Sequence, residues 1–99
     1  MNLLIDIGNS LTKIAVFNKA KIITEFKIKK IDLNFIKDIV KDNKIINCAI
    51  SNVGPRIDDL YFFLEENTNL YIFDDKINLP FLNHYKKSLI TLPWLYFVK

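Results

Sequence analysis

Residues 2–28 read NLLIDIGNSLTKIAVFNKAKIITEFKI, and this stretch decides the fold. Asn2 to Ile7 is an apolar run of strand length, Leu11 to Asn18 is a second, and Gly8-Asn9-Ser10 between them has the residue types of a hairpin turn. After Asn18-Lys19-Ala20 the run Lys21 to Ile28 supplies a third strand, so three strands joined by short turns are expected to form an antiparallel meander. One residue does not belong to a plain hairpin. Asp6 places a carboxylate inside a run of Leu and Ile, where it costs several kcal/mol unless it is solvated or bound.

Beyond the meander the period changes. Leu33, Ile36, Ile39 and Val40 fall at helical spacing, Asp32 stands at the N-cap, and Asp42-Asn43 closes the segment. Lys44 to Ser51 is a continuous apolar run that predicts a fourth strand. A second helix is expected from about Pro55, an allowed first-turn residue, to Asn67, with Leu60, Phe63 and Leu64 as its core stripe. Asn69 to Phe73 predicts a short last strand, stopped by Asp74-Asp75. The expected order is β-β-β-α-β-α-β, an α/β chain that matches a single ribonuclease-H-like (actin-like) half-domain. Residues 1–79 form that half-domain in this reading. Residues 80–99 form a separate segment ending in an irregular apolar tail, because Ser88 to Val98 (SLITLPWLYFV) carries no charge and Pro93 interrupts any regular element.

Composition narrows the function classes. The chain has 99 residues, 51% of them hydrophobic and 25% charged, which suits one globular domain. Its net charge of +3 comes from lysines spread along the chain, with Arg56 the only arginine, so charge alone argues against a nucleic-acid partner. The apolar tail is too short to span a bilayer, which takes ~20 apolar residues, so no membrane partner is expected. Cys48 is the single cysteine; it excludes an internal disulfide and suits a reducing cytoplasm. His84 is the single histidine, which leaves no histidine-based triad or metal cluster.

The chemistry concentrates in Asp6-Ile7-Gly8-Asn9-Ser10-Leu11-Thr12-Lys13. Backbone N–H groups and hydroxyls from Gly8 to Thr12 can cradle phosphate oxygens, Lys13 can offset their charge, and Asp6 can hold hydrated Mg2+, directly or through water. This D-I-G-N-S-x-T-K stretch resembles the first phosphate motif of type III pantothenate kinases, members of the acetate and sugar kinase, Hsp70 and actin superfamily. Ala49-Ile50-Ser51-Asn52-Val53-Gly54-Pro55 and Leu79-Pro80-Phe81-Leu82-Asn83-His84-Tyr85-Lys86 resemble two further segments of that family. The resemblance implies ATP with Mg2+ as cofactor, a monovalent cation (K+ or NH4+) in full-length relatives, Tyr85 lining a pantothenate pocket, and homodimeric relatives. The implied family activity is ATP-dependent phosphorylation of pantothenate in coenzyme A biosynthesis.

The resemblance ends near residue 87. The family's G-x-D-R segment, with its general-base aspartate, has no counterpart: Pro93 stands for the glycine and Leu95-Tyr96 for Asp-Arg. The second kinase domain is also absent. The expectation is therefore an inactive N-terminal kinase portion, truncated or frameshifted after about residue 87, with no catalytic residue of its own. The alternatives are a non-catalytic accessory relative and a pseudogene product.

Overall fold

A computed structural model of the chain describes residues 1–73. Seven elements follow one another: β1 (Asn2–Ile7), β2 (Thr12–Asn18), β3 (Lys21–Ile28), α1 (Leu33–Asp42), β4 (Asn47–Asn52), α2 (Asp58–Asn67) and β5 (Asn69–Phe73). The order of strand and helix types is the expected one. The five strands make one mixed sheet in the spatial order β3-β2-β1-β4-β5. β1 pairs antiparallel with β2 and β2 with β3, whereas β1 with β4 and β4 with β5 are parallel. β1 is central because NLLIDI can be buried from both sides, as strands with parallel neighbours usually are. β3, with alternating exposed residues and lysines at both ends of its apolar stretch, stays at an edge.

Strand parity divides the side chains between two faces. Leu3, Ile5 and Ile7 of β1 share one face with Ile14 and Val16 of β2 and Cys48 and Ile50 of β4. Against them lie Ile36, Ile39 and Val40 of α1 and Leu60, Tyr61 and Leu64 of α2. Both helices therefore cover the same face.

Three elements start later than the sequence reading expects, each for a local reason, and β4 also ends one residue later, at Asn52. β2 begins at Thr12 because the Gly8 N–H donates to the Leu11 carbonyl at 2.9 Å, closing a turn that includes Leu11. β4 begins at Asn47 and not at Lys44, because residues 44–46 are used to leave α1. There the Lys44 N–H donates to the Lys41 carbonyl and the Ile45 N–H to the Val40 carbonyl, with Lys44 at φ 51°. That double closure is a Schellman ending, and buried Ile45 beside Val40 supplies its apolar contact.

α2 begins at Asp58 and not at Pro55. The Asn52 side chain folds residues 52–55 into a turn, its Oδ1 accepting from the Gly54 N–H at 2.8 Å and its Nδ2 donating to the Pro55 carbonyl at 2.9 Å. Ile57 is then extended and serves as N-cap residue without a side-chain cap. Tyr61, absent from the expected stripe, is buried with Leu60 and Leu64, while Phe63 is only half-buried. α1 matches its reading: Asp32 caps it by accepting from the Asn34 N–H at 2.9 Å.

Asp74-Asp75, His84, Tyr85, the division at residue 79 and the apolar tail lie outside the described residues. No helix among the described residues is long and apolar enough to cross a membrane.

Candidate functional site

The carboxyl ends of the parallel strands β1 and β4 lie side by side at the centre of the sheet, the end at which open α/β sheets receive ligands. Asp6 is the penultimate residue of β1. Its direct partners are Lys13 on β2 and Ser51 on β4; Lys13 is in turn opposite Lys27, and Ser51 opposite Phe73. Residues directly opposite one another point to the same side, so Lys27, Lys13, Asp6, Ser51 and Phe73 form one row on the face away from the helices. Adjacent strands are ~4.8 Å apart, which puts a carboxylate between an ammonium and a hydroxyl on neighbouring strands. Asp6, Lys13 and Ser51 are each half-buried and Lys27 is exposed. Asp6 is half-buried near the end of β1, where a carboxylate keeps access to water.

The remaining residues of the eight-residue stretch go elsewhere. Ile7 is opposite Thr12 and Asn52 on the helix-covered face, and Thr12 is 2% exposed between its cross-strand partners Ile7 and Ile28. The Thr12 side chain therefore lies in the core and not beside Lys13. Asn9 and Ser10 are exposed at the tip of the turn, and Leu11 is half-buried. The Gly8 N–H is already donated to Leu11. Gly8 does not need a positive φ; a side chain there would bring Cβ to 3.0 Å from the Leu11 carbonyl oxygen.

Beside this turn runs an open groove of about 390 Å3, lined by Gly8, Asn9, Asn52, Gly54, Arg56 and Ile57 among others. The one cation lining it is engaged. Arg56 is 3.2 Å from Asp58 and 3.7 Å from Glu65, and its guanidinium lies 4.7 Å from the centre of the Tyr61 ring. The first turn of α2 carries Asp58 and Asp59, which suit the helix dipole and oppose a second anion. The groove is thus poorly disposed toward phosphate, and the row through Asp6 and Lys13 is the better-charged surface.

Sequence reading named Asp6 and Lys13 but not Ser51 or Lys27 as members of one site. The signal was register: once β1 pairs with β4 and β2 with β3, both residues follow from Asp6 and Lys13. Cys48, fully buried on the helix-covered face, has its thiol pushed far above its ordinary range by burial, so it is no nucleophile. Among the described residues no group of three His, Cys, Asp or Glu side chains could hold a metal ion. Asp6 is the one carboxylate in the row.

No family model matches the chain, and no curated protein matches it. Among solved structures it is similar to the Fowlpox virus resolvase in complex with its substrate Holliday junction DNA, at 17% identity and a TM-score of 0.55, over 89% of this chain and 70% of that one. That likeness establishes a shared fold. It corrects the kinase reading: no family model supports a type III pantothenate kinase, and the short motifs that suggested one occur on a fold shared with a resolvase. Kinase and transferase activity, coenzyme A biosynthesis, pantothenate as substrate, and ATP with K+ or NH4+ as cofactors fall with it. The exclusion of nucleic acid is corrected too, since the resolvase of this fold is bound to DNA. Of the lysines dispersed along the sequence, the sheet brings Lys13 and Lys27 opposite one another.

Proposed function

We propose that this chain is a ribonuclease-H-like nucleic-acid-binding domain that takes a phosphodiester of branched DNA at the row Lys27-Lys13-Asp6-Ser51, with a divalent cation such as Mg2+ at Asp6. One observation carries the reading: the only carboxylate of the row sits at the carboxyl end of the central strand, with a cation on one side and a hydroxyl on the other. Mg2+ retains much of its water and commonly needs only one or two carboxylates besides substrate phosphate, which Asp6 and a bound backbone could supply. The cation would neutralise phosphate charge. Lys13 and Lys27 would pair with neighbouring phosphates along the strand, and Ser51 would donate its hydroxyl to a phosphate oxygen. Hydrolysis by paired metals needs more carboxylates than this row contains, so the proposal for the described residues stops at binding. Residues 1–79 remain the proposed domain, and a reducing cytoplasm remains the proposed setting for a chain with one buried thiol.

Fluorescence anisotropy with a labelled four-way junction and a duplex of equal length tests this. The junction should bind more tightly than the duplex, and binding should strengthen with Mg2+ and weaken with salt. Each lysine that neutralises a phosphate should add about 0.9 to the steepness of log K against log salt. Lys13→Gln should make that slope shallower by this amount, and Asp6→Asn should remove the Mg2+ dependence while leaving the fold intact. Absence of binding to either DNA at low salt, or binding by Asp6→Asn that still responds fully to Mg2+, would sink the proposal.

A further inference from the structure

β3 forms one edge of the sheet: among the described residues it has β2 on one side and no strand on the other. An edge strand offers a row of backbone N–H and C=O groups to another strand, and proteins blunt such edges with lysines and bulges. β3 has both near its start, in Lys21 and in a register shift that leaves Ile23 without a direct partner on β2. From Thr24 to Ile28 the pairing with β2 is regular. The apolar residues of this stretch are incompletely covered. Phe26 and Ile28 lie on the helix side, opposite Ile14 and Thr12, yet both are half-buried, although the Phe26 ring packs edge-on against Phe35 of α1 at 5.0 Å.

The charges of β3 select one way for this strand to pair with a copy of itself. When two identical strands pair antiparallel about a two-fold axis, one residue lies opposite its own copy, and that choice fixes every other pair. With Thr24 at the axis Lys21 opposes Lys27, with Glu25 there the two Glu25 oppose each other, and with Lys27 there the two Lys27 do. Like charges directly opposite one another are destabilising. Ile23 at the axis sets Lys21 against Glu25 but runs the pairing through the bulge. Phe26 at the axis avoids both faults. It sets Glu25 against Lys27 twice, Thr24 against Ile28 twice and the two Phe26 rings against each other, all within the regular stretch.

We propose that β3 pairs antiparallel with β3 of a second copy of this chain, centred on Phe26, so that two five-stranded sheets join edge to edge. Glu25 and Lys27 are exposed on the face that carries Asp6, and there they form two symmetric ion pairs across the junction. On the opposite face the same pairing covers Phe26 and Ile28. Lys27 ends the Asp6 row, so the row of each copy meets Glu25 of the other. The two Asp6 residues then share one face, five strand steps or roughly 24 Å apart. This inference does not depend on the DNA-binding reading.

Sedimentation equilibrium of the full chain over a range of concentrations tests this, with amide hydrogen exchange of residues 24–28 measured alongside. A monomer–dimer equilibrium is expected, and the outward amides of these residues should exchange more slowly as the dimer fills. Glu25→Lys sets lysine against lysine at both ion pairs and should raise the dissociation constant roughly tenfold or more, with the far-UV dichroism of the sheet retained. Lys27→Glu should do the same. The double variant Glu25→Lys with Lys27→Glu restores opposite charges and should recover the dimer. Should a single reversal fail to fold, the concentration dependence of exchange in the parent chain decides the matter. A parent chain that stays monomeric up to ~1 mM overturns the proposal. So does a dimer that folded Glu25→Lys leaves unchanged, and so does a double variant no tighter than either single one. Outward amides protected equally in the monomer also overturn it, because the edge would then be covered by another part of the same chain.

Discussion

Lys44 should be improvable by glycine. It occupies the position after the C-cap of α1 at φ 51°, in the left-handed region where an L side chain costs about 1–2 kcal/mol and glycine nothing. Glycine returns part of this gain, about 0.4–1 kcal/mol, by loosening the unfolded chain. The difference leaves Lys44→Gly more stable by about 0.5–1 kcal/mol, or a rise in Tm of roughly 2–8 °C for a domain of this size. Little else changes. Lys44 is exposed, its ammonium makes no ion pair among the described residues, and its carbonyl, which accepts from the Met1 ammonium at 3.1 Å, is backbone and survives the change. Urea and thermal melts followed by far-UV circular dichroism provide the measurement, with Lys44→Ala as control for loss of the side chain and Lys44→Asn as an intermediate. The expected order of stability is Gly, then Asn, then Lys and Ala together. A Lys44→Gly chain no more stable than Lys44→Ala would refute the left-handed assignment and the Schellman ending built on it.

The two glycines should respond differently to alanine. Gly8→Ala forces Cβ to 3.0 Å from the carbonyl that its own N–H bonds, and should cost about 1–3 kcal/mol by overpacking the turn. Gly54→Ala meets only the Asn52 Oδ1 at 3.5 Å, with no positive φ, and should be neutral or stabilising by up to about 1 kcal/mol in the same melts. The Cys48 thiol should react with Ellman's reagent no faster than the chain unfolds, because burial both hides it and holds it protonated. The native thiol's pKa is raised, so above the ordinary thiol value of about 8.5 only the unfolded chain gives up this proton, and stability should fall as pH rises, by at most about 1.4 kcal/mol per unit. Cys48→Ala should remove that slope; an identical alkaline decline in the variant would show that another group causes it.

Much of the fold was legible because its signals are local. β1, β3, β5 and α1 follow from alternating or continuous apolar runs, a capping aspartate and hairpin residues, all within a few positions of one another. The boundaries that moved depend on groups a pattern does not weigh. Lys44 and Ile45 look like the start of an apolar strand, yet their N–H groups are needed by the carbonyls at the end of α1. Pro55 looks like the first turn of a helix, yet the Asn52 side chain holds it in a preceding turn. Tyr61 joins the core because α2 starts three residues later than expected and meets α1 with a different set of side chains.

The site was legible in part, and the reason lies in strand parity. Asp6 through Lys13 reads as one continuous cradle when eight residues are laid end to end. A hairpin does not keep them together. Asp6 is opposite Lys13 and Ile7 is opposite Thr12, so the carboxylate and ammonium go to one face while the threonine goes to the other, under the helices. The same parity brings in Ser51 from forty-five residues away and Lys27 from two strands across. A phosphate-binding motif depends on donors converging from a short loop, whereas a row across a sheet presents charge and hydroxyl at the spacing of strands. This chain has the second arrangement. A surface of that kind meets an extended polyanion more naturally than it encloses a small triphosphate, and that physical difference, more than any single residue, separates the DNA-binding reading from the kinase one.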